Sequence, residues 1–232
     1  MDKTNSKTIV ISLGGSLVVP QEIDVSFLKS FKSFIENEVK NGYRFLIIVG
    51  GGKTARHYQD ALSEIVHADS ASLDWLGIGA LRLNAMFVRS ILGDLAYNEV
   101  INNGPDGIEN IDSSIIVCGA QKPGSSTDYG SVLFAKKIGA TSIVNLSNID
   151  RVYTADPRLD KDAKAIDDIS WEDFRKIIPD EWKPGLSSPF DPVAARAAEE
   201  SNIKVAIING ANLENLKKFI EGEPFDGTLI HN

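Results

Sequence analysis

The sequence predicts an α/β protein in which helices cover both faces of a mostly parallel sheet. Apolar runs without alternation, Phe45 to Val49 and Ile115 to Cys118, read as strands buried on both faces. Between such runs lie stretches with apolar residues three or four apart, the spacing of amphipathic helices. The strand-like runs also end in glycine, at Gly14-Gly15, at Gly50-Gly51-Gly52 and at Gly119. Strands alternating with helices give a mostly parallel sheet. Its carboxyl edge, where ligands bind in such sheets, would then gather all of these glycine exits.

Taken in order, Thr8 to Leu13 is a β-rich run that breaks at Gly14-Gly15. Asp24 is a good N-cap for a helix to Lys40, with Leu28, Phe31, Ile35 and Val39 on one face and Asn41-Gly42 at its end. Phe45 to Val49 stops at the glycine triplet, and a helix from Thr54 to about Val66 puts Arg56 in its first turn. A buried strand, a bare glycine turn and a helix N-terminus aim backbone N–H groups at one place, and a guanidinium adds a bidentate grip on an anion. The triplet is neither the spaced dinucleotide fingerprint nor a Walker A loop. Read locally, it serves equally as a tight turn.

Ser72 to Leu92 carries a long helical pattern, in which Gly77 and Gly79 each cost about 1 kcal/mol against alanine. Such glycines point to close packing of another backbone, hence an interface. Asn102 to Asp112 is turn-rich. After Ile115 to Cys118 comes a polar loop from Gly119 to Asp128 and a helix to about Ile138. Ser142 to Leu146 is a further strand, followed by a long loop. Ser170 and Asp173 form a capping box that opens a short helix. Pro179 to Pro189 reads as a mobile loop. Asp191-Pro192 is an N-cap followed by proline at the first helical position, opening a helix to about Ser201. Lys204 to Ile208 is a strand, Leu213 to Ile220 a helix and Thr228 to His231 a last short strand. No repeat or linker divides the chain, so one domain over residues 1–232 is expected.

Composition narrows the function classes. A net charge of −8 argues against nucleic-acid wrapping but not against a small anionic ligand held by local amides and cations. No apolar run reaches the ~18 residues of a membrane span, and the polar N-terminus is not a signal peptide. The single cysteine, Cys118, suits a reducing cytoplasm and reads as strand packing rather than a nucleophile. His57, His67 and His231 lack metal-ligand spacing, so no protein-held metal is expected.

Six motifs occur in order: Gly14-Gly15-Ser16; Gly50-Gly51-Gly52-x-x-Ala55-Arg56; Asp74-x-x-Gly77-x-x-x-x-Arg82-Leu83-Asn84-Ala85; Pro123-Gly124-x-x-Thr127-Asp128; Asn148-x-Asp150-x-x-Tyr153-x-x-Asp156-Pro157; and Asp191-Pro192-x-Ala194. Together they resemble the amino acid kinase superfamily and, within it, the UMP kinases of archaeal type, over nearly the whole chain. The resemblance implies a three-layer α/β/α sandwich, the amino acid kinase fold. It implies transfer of the ATP γ-phosphoryl to UMP in pyrimidine nucleotide biosynthesis, with the acceptor on about residues 1–140 and ATP·Mg²⁺ on about 141–232. Gly50, Gly51, Gly52, Lys53 and Arg56 would hold the UMP phosphate, and Asp74 the ribose hydroxyls. The loop from Gly119 through Lys122 to Thr127 would meet the uracil. Gly14 and Gly15 would offer amides to the moving phosphoryl, Asp128 would organise the cations or Mg²⁺ around it, and Lys183 would arrive as a catalytic cation. Ser16, Asn148, Asp150, Tyr153 and Asp156 would line the ATP side. The resemblance also implies a homo-oligomer, a hexamer built as a trimer of dimers.

On local chemistry alone, Asp128 reads equally as an N-cap, Tyr153 as core, Asp156-Pro157 as a turn opener and Lys183 as a surface charge. Three departures from the pattern stand out. Ser12 occupies the place of a lysine found in many superfamily kinases, Arg151 the place of a glycine, and Lys122 adds a charge that uracil does not need. Two other readings stay open: a kinase of another small phosphate or acid, or a nucleotide-binding storage or regulatory protein on the same scaffold.

Overall fold

The fold is that of a computed structural model, which describes residues 7–119, 123–124, 126–181 and 188–232. The N-terminal half runs β1 (Lys7–Leu13), α1 (Gly15–Val18), α2 (Val25–Lys40), β2 (Tyr43–Val49), α3 (Gly52–Ile65), α4 (Ser70–Leu92), β3 (Ile115–Cys118) and α5 (Thr127–Ile138). It continues with β4 (Ser142–Ser147), β5 (Val152–Tyr153), β6 (Ala165–Ile166), β7 (Asp168–Ser170), α6 (Trp171–Ile177), α7 (Pro192–Glu200), β8 (Lys204–Asn209), α8 (Leu213–Glu221) and β9 (Thr228–His231).

Seven strands form one sheet in the order β3-β2-β1-β4-β8-β9-β7, in which only β8 and β9 pair antiparallel. The mostly parallel sandwich expected from the sequence is therefore present. Period-2 alternation sends β-residues to two separate cores. Ile11, Leu13, Phe45, Ile47, Val144 and Ala206 meet α1, α2, α4 and α8 on one face. Val10, Leu46, Ile48, Ile143, Val205 and Ile207 meet α5, α6 and α7 on the other. Ser12 and Asn145 are register partners and point to this second face, so two polar residues interrupt it side by side.

Chain order runs outward from β1 to β2 and β3, then returns to place β4 on the opposite side of β1. The strand order therefore reverses between β1 and β4, which is where open parallel sheets form a ligand crevice. Each glycine exit named above leaves the same carboxyl edge. The side chains of Asp24, Ser170 and Asp191 cap α2, α6 and α7 as their motifs predict, accepting from the amides of Phe27, Asp173 and Ala194.

Several boundaries differ from expectation. Helix α3 starts at Gly52, because the Gly51 carbonyl already accepts from the Ala55 amide, so Arg56 stands one turn into the helix and not in its first turn. Helix α4 starts at Ser70 under an Asp69 cap. A single turn, α1, follows Gly14, and the long loop after β4 contains the hairpin β5/β6. Gly77 packs within the chain, since a Cβ there would lie 2.9 Å from Gln59 Nε2 on α3, whereas Gly79 faces open space. Helix α4 is long and apolar enough by composition to cross a membrane, yet Ile78, Leu81, Ala85, Val88 and Leu92 bury one face of it in this fold.

Candidate active site

The crevice is built first by two glycine turns. A Cβ on Gly15 would lie 2.0 Å from Gly52 N, and one on Gly52 would lie 2.2 Å from Gly15 O, with Gly52 at φ +60°. Only bare backbone permits this approach. It sets the first-turn N–H groups of α1 and α3 side by side, and these have no intrahelical acceptors. One expected donor drops out. The Gly14 amide donates to Leu146 O at 2.8 Å, tying β1 to β4, so donors on this loop are left to Gly15 and Ser16. The amide of Lys53 is likewise taken, by Val19 O at 3.0 Å.

Helix α4 backs the second turn with one face. Gly77 and Leu81 approach Gly51, and buried Asn84 donates from Nδ2 to Gly50 O at 2.9 Å and to Gly51 O at 3.0 Å. Earlier on the same helix, Asp74 accepts from the Gly124 amide at 2.9 Å, which joins the helix start to the loop after β3. Leu81, Gly119, Ser126, Thr127 and Phe134 line a small cavity of about 40 Å³, mainly apolar, at the root of that loop. Gly119, at that root, leaves room for the Asn102 Oδ1 that sits 2.3 Å from where its Cβ would be. Exposed Arg56 lies about 6 Å further along α3 from Gly52, within reach of the turn by its long side chain. Lys122 lies outside the described residues, as does Lys183.

Asp128 stands where the strand order reverses. It is not the N-cap of α5; that is Ser126, whose Oγ accepts from the Tyr129 amide at 3.1 Å. The Asp128 carboxylate accepts from Ser12 Oγ and Asn145 Nδ2, both at 3.0 Å, and from the Asp191 amide at 3.1 Å. All three donors are neutral. Burial therefore dominates and pushes its pKa up to about 7, against the pull of the Ser12 and Asp191 hydrogen bonds. Serine in the lysine position thus leaves a buried carboxyl without a protein cation among the described residues. Burial likewise raises the neighbouring Asp191. Cys118 is fully buried and its thiol is pushed up by the same cause, which fits packing and not nucleophilic chemistry.

The other lip follows β4. Ser16 Oγ donates to Asn148 Oδ1 at 3.3 Å, bridging the β1 and β4 exits. Tyr153 donates to Asp150 at 3.0 Å, and that bond raises the phenol pKa. Tyr153 is thus a half-exposed donor and not core. Arg158 grips Asp156 through two nitrogens, with a shortest contact of 2.7 Å, and its hydrogen bonds hold that carboxyl down at about 2. Arg151 occupies no glycine-only conformation, since the non-glycine residues with positive φ among those described are Asn110 and Asn202. Its guanidinium instead ties the loop to Asp167 at 2.5 Å and Asp226 at 3.6 Å.

The sequence pattern of the amino acid kinase family matches residues 7–209. The chain belongs to the amino acid kinase family. Among relatives of this family member, a uridylate kinase of Hyperthermus butylicus is 37% identical over 96% of this chain and 97% of its own length. A uridylate kinase of Pyrococcus abyssi is 36% identical over 96% and 98%. The crystal structure of uridylate kinase from Archaeoglobus fulgidus superposes with a TM-score of 0.82 at 33% identity, covering 96% of this chain and 99% of that one. A UMP kinase structure from Bacillus anthracis shares the fold at a TM-score of 0.80 and 22% identity.

Sequence reasoning gave three residues of this kinase-family crevice no part in the site. Asn145 and the backbone of Asp191 complete the cradle of Asp128, and Asn84 holds the glycine turn. A signal existed for the asparagines: Asn145 interrupts an apolar strand-like run, and Asn84 interrupts the apolar pattern of the long helix.

Proposed function

We propose that this chain is a UMP kinase, transferring the γ-phosphoryl of ATP to UMP to give UDP and ADP. The observation that carries the reading is similarity to uridylate kinases along nearly the full length of both chains. The acceptor phosphate would rest on the Gly51 and Gly52 amides and Arg56, the ribose on Asp74 and the base over the loop of Gly119 to Thr127. ATP would lie along Ser16, Asn148, Asp150, Tyr153 and Asp156, meeting the acceptor above Gly15. Such transfer depends on position and on neutralising charge more than on covalent chemistry. No cluster of three acidic or histidine side chains converges among the described residues, so Mg²⁺ would be held chiefly by substrate phosphate oxygens, with Asp128 as buried acidic neighbour. Bound that way, it supplies charge neutralisation on the ATP side. Reaction in the cytoplasm suits the single buried cysteine.

A panel of nucleoside monophosphates with ATP·Mg²⁺, followed by ADP release, tests this. UMP should give the highest kcat/KM, and Arg56→Ala should raise the UMP KM by about tenfold or more, the scale of a charge-assisted hydrogen bond. Transfer to no monophosphate, or unchanged kinetics in Arg56→Ala, would count against the reading.

The partner we propose for the outer face is a second copy of this chain. Helix α3 buries none of its residues, although Ala55, Tyr58, Leu62 and Ile65 recur at helical spacing. Beside it, α4 exposes Trp75 (53%), Leu83 (59%) and Met86 (58%). Two adjacent apolar helix faces are what a dimer of roughly 800 Å² per subunit requires. The family resemblance extends that dimer to a trimer of dimers. Light scattering should give at least a dimer at micromolar concentration, and Leu83→Glu should shift the mass toward the monomer. A monomeric wild type would refute the assembly.

A further inference from the structure

We propose that Asn84 is a positioning residue for the acceptor phosphate, setting the direction of the Gly51 and Gly52 amides from behind the turn. The inference rests on the acceptor reading above and adds a residue that touches no substrate. In a trans peptide the C=O of one residue and the N–H of the next point in opposite directions across a rigid plane. Asn84 Nδ2 holds Gly50 O at 2.9 Å, so the N–H of Gly51 in the same plane points away from α4. It holds Gly51 O at 3.0 Å, together with the longer bond from the Ala55 amide at 3.3 Å, which does the same for the N–H of Gly52. One carboxamide thereby turns two carbonyls away from an incoming anion and two donors toward it.

Glycine makes such a hold necessary. Three consecutive residues without Cβ can rotate through many backbone states, and no side chain of their own selects one. Asn84 is 4% exposed on a helix face whose other members, Gly77 and Leu81, also approach Gly51. The helix is thus a rigid back plate, and the asparagine is its polar contact with the turn. Preorganised donors of this kind cost no reorganisation when the anion arrives.

Binding of UMP and of uridine, measured by calorimetry on the intact protein, tests the inference, because uridine lacks the phosphate. Asn84→Ala should weaken UMP by ~10- to 100-fold, the scale of a misplaced binding group, and leave uridine within about twofold. Asn84→Ser, which keeps one donor hydroxyl, should recover part of the loss and replaces the alanine form if that form fails to fold. A merely structural role would weaken both ligands alike or lower the folded fraction alone. Equal weakening of UMP and uridine, or an unchanged ratio between them, overturns the positioning role while leaving the kinase reading intact. Failure of the wild type to bind UMP overturns both.

Discussion

Asp128→Asn is expected to lower kcat by about 100-fold or more, with the UMP KM changed much less. Three donors, from Ser12, Asn145 and the Asp191 amide, converge on the carboxylate. An amide group there would turn its own N–H₂ toward one of them and lose the charge that organises cations around the phosphoryl. The same variant carries a pH signature. The folded pKa of Asp128 is raised to about 7 from 3.8, so the native state holds the proton more tightly than the unfolded chain. Its stabilising contribution is full below about pH 4 and is lost as pH rises through about 7. Chemical denaturation of the wild type, minus that of Asp128→Asn, should therefore show a stability difference that falls across this window and is flat above it. Subtracting the variant removes the opposite slopes of exposed carboxyls such as Asp173, which are held low. Wild-type turnover in Asp128→Asn, or a difference independent of pH, would refute the assignment.

Gly15→Ala should abolish measurable transfer, and for a different reason. The added methyl would meet Gly52 N at 2.0 Å, Gly52 Cα at 2.6 Å and Gly50 C at 2.7 Å. All three are backbone atoms, with no flexible side chain to swing aside, so the two turns must separate. Overpacking of this kind costs ~1–3 kcal/mol, or about 2–12 °C in Tm for a chain of this size. The separation also moves the paired amides, so kcat/KM should fall by more than about 100-fold even where the protein stays folded. Gly79→Ala is the matched control within one subunit, because nothing in this chain lies within 4 Å of its Cβ position and a methyl only adds apolar surface to the proposed dimer face. It should leave kcat/KM near the wild-type value. A Gly15→Ala enzyme with wild-type kinetics and melting temperature would show that the turns do not need their close approach.

Both expectations draw on a site that was only half legible in the sequence. The glycine exits, the buried strands, the caps at Asp24, Ser170 and Asp191 and the parallel sheet follow from spacing and residue type, and each is present. The register of the motifs also pointed to the family. Local chemistry could not choose between a capping and a site role for Asp128. The structure rules out the cap, because Ser126 takes it and the Asp128 side chain meets Ser12 and Asn145 instead. Nor could spacing show that Gly14 spends its amide on Leu146, or that Gly77 serves contact with α3 within the chain.

What the sequence by itself determined was the type of the longer elements, though not of α1, β5, β6 or β7, and the face that their residues present, since periods of 2 and 3.6 are local properties of the backbone. What only the tertiary structure decided was which polar residues meet. Ser12 and Asp128 are 116 positions apart, and Asn84 and Gly50 are 34 apart. Their contacts depend on how α5 packs across β1 and on how α4 crosses behind β2. Side-chain period fixes a face, but packing of whole elements fixes the partner. A hydrogen bond needs its partner placed to within a few tenths of an ångström, and only the assembled sheet and helices supply that precision.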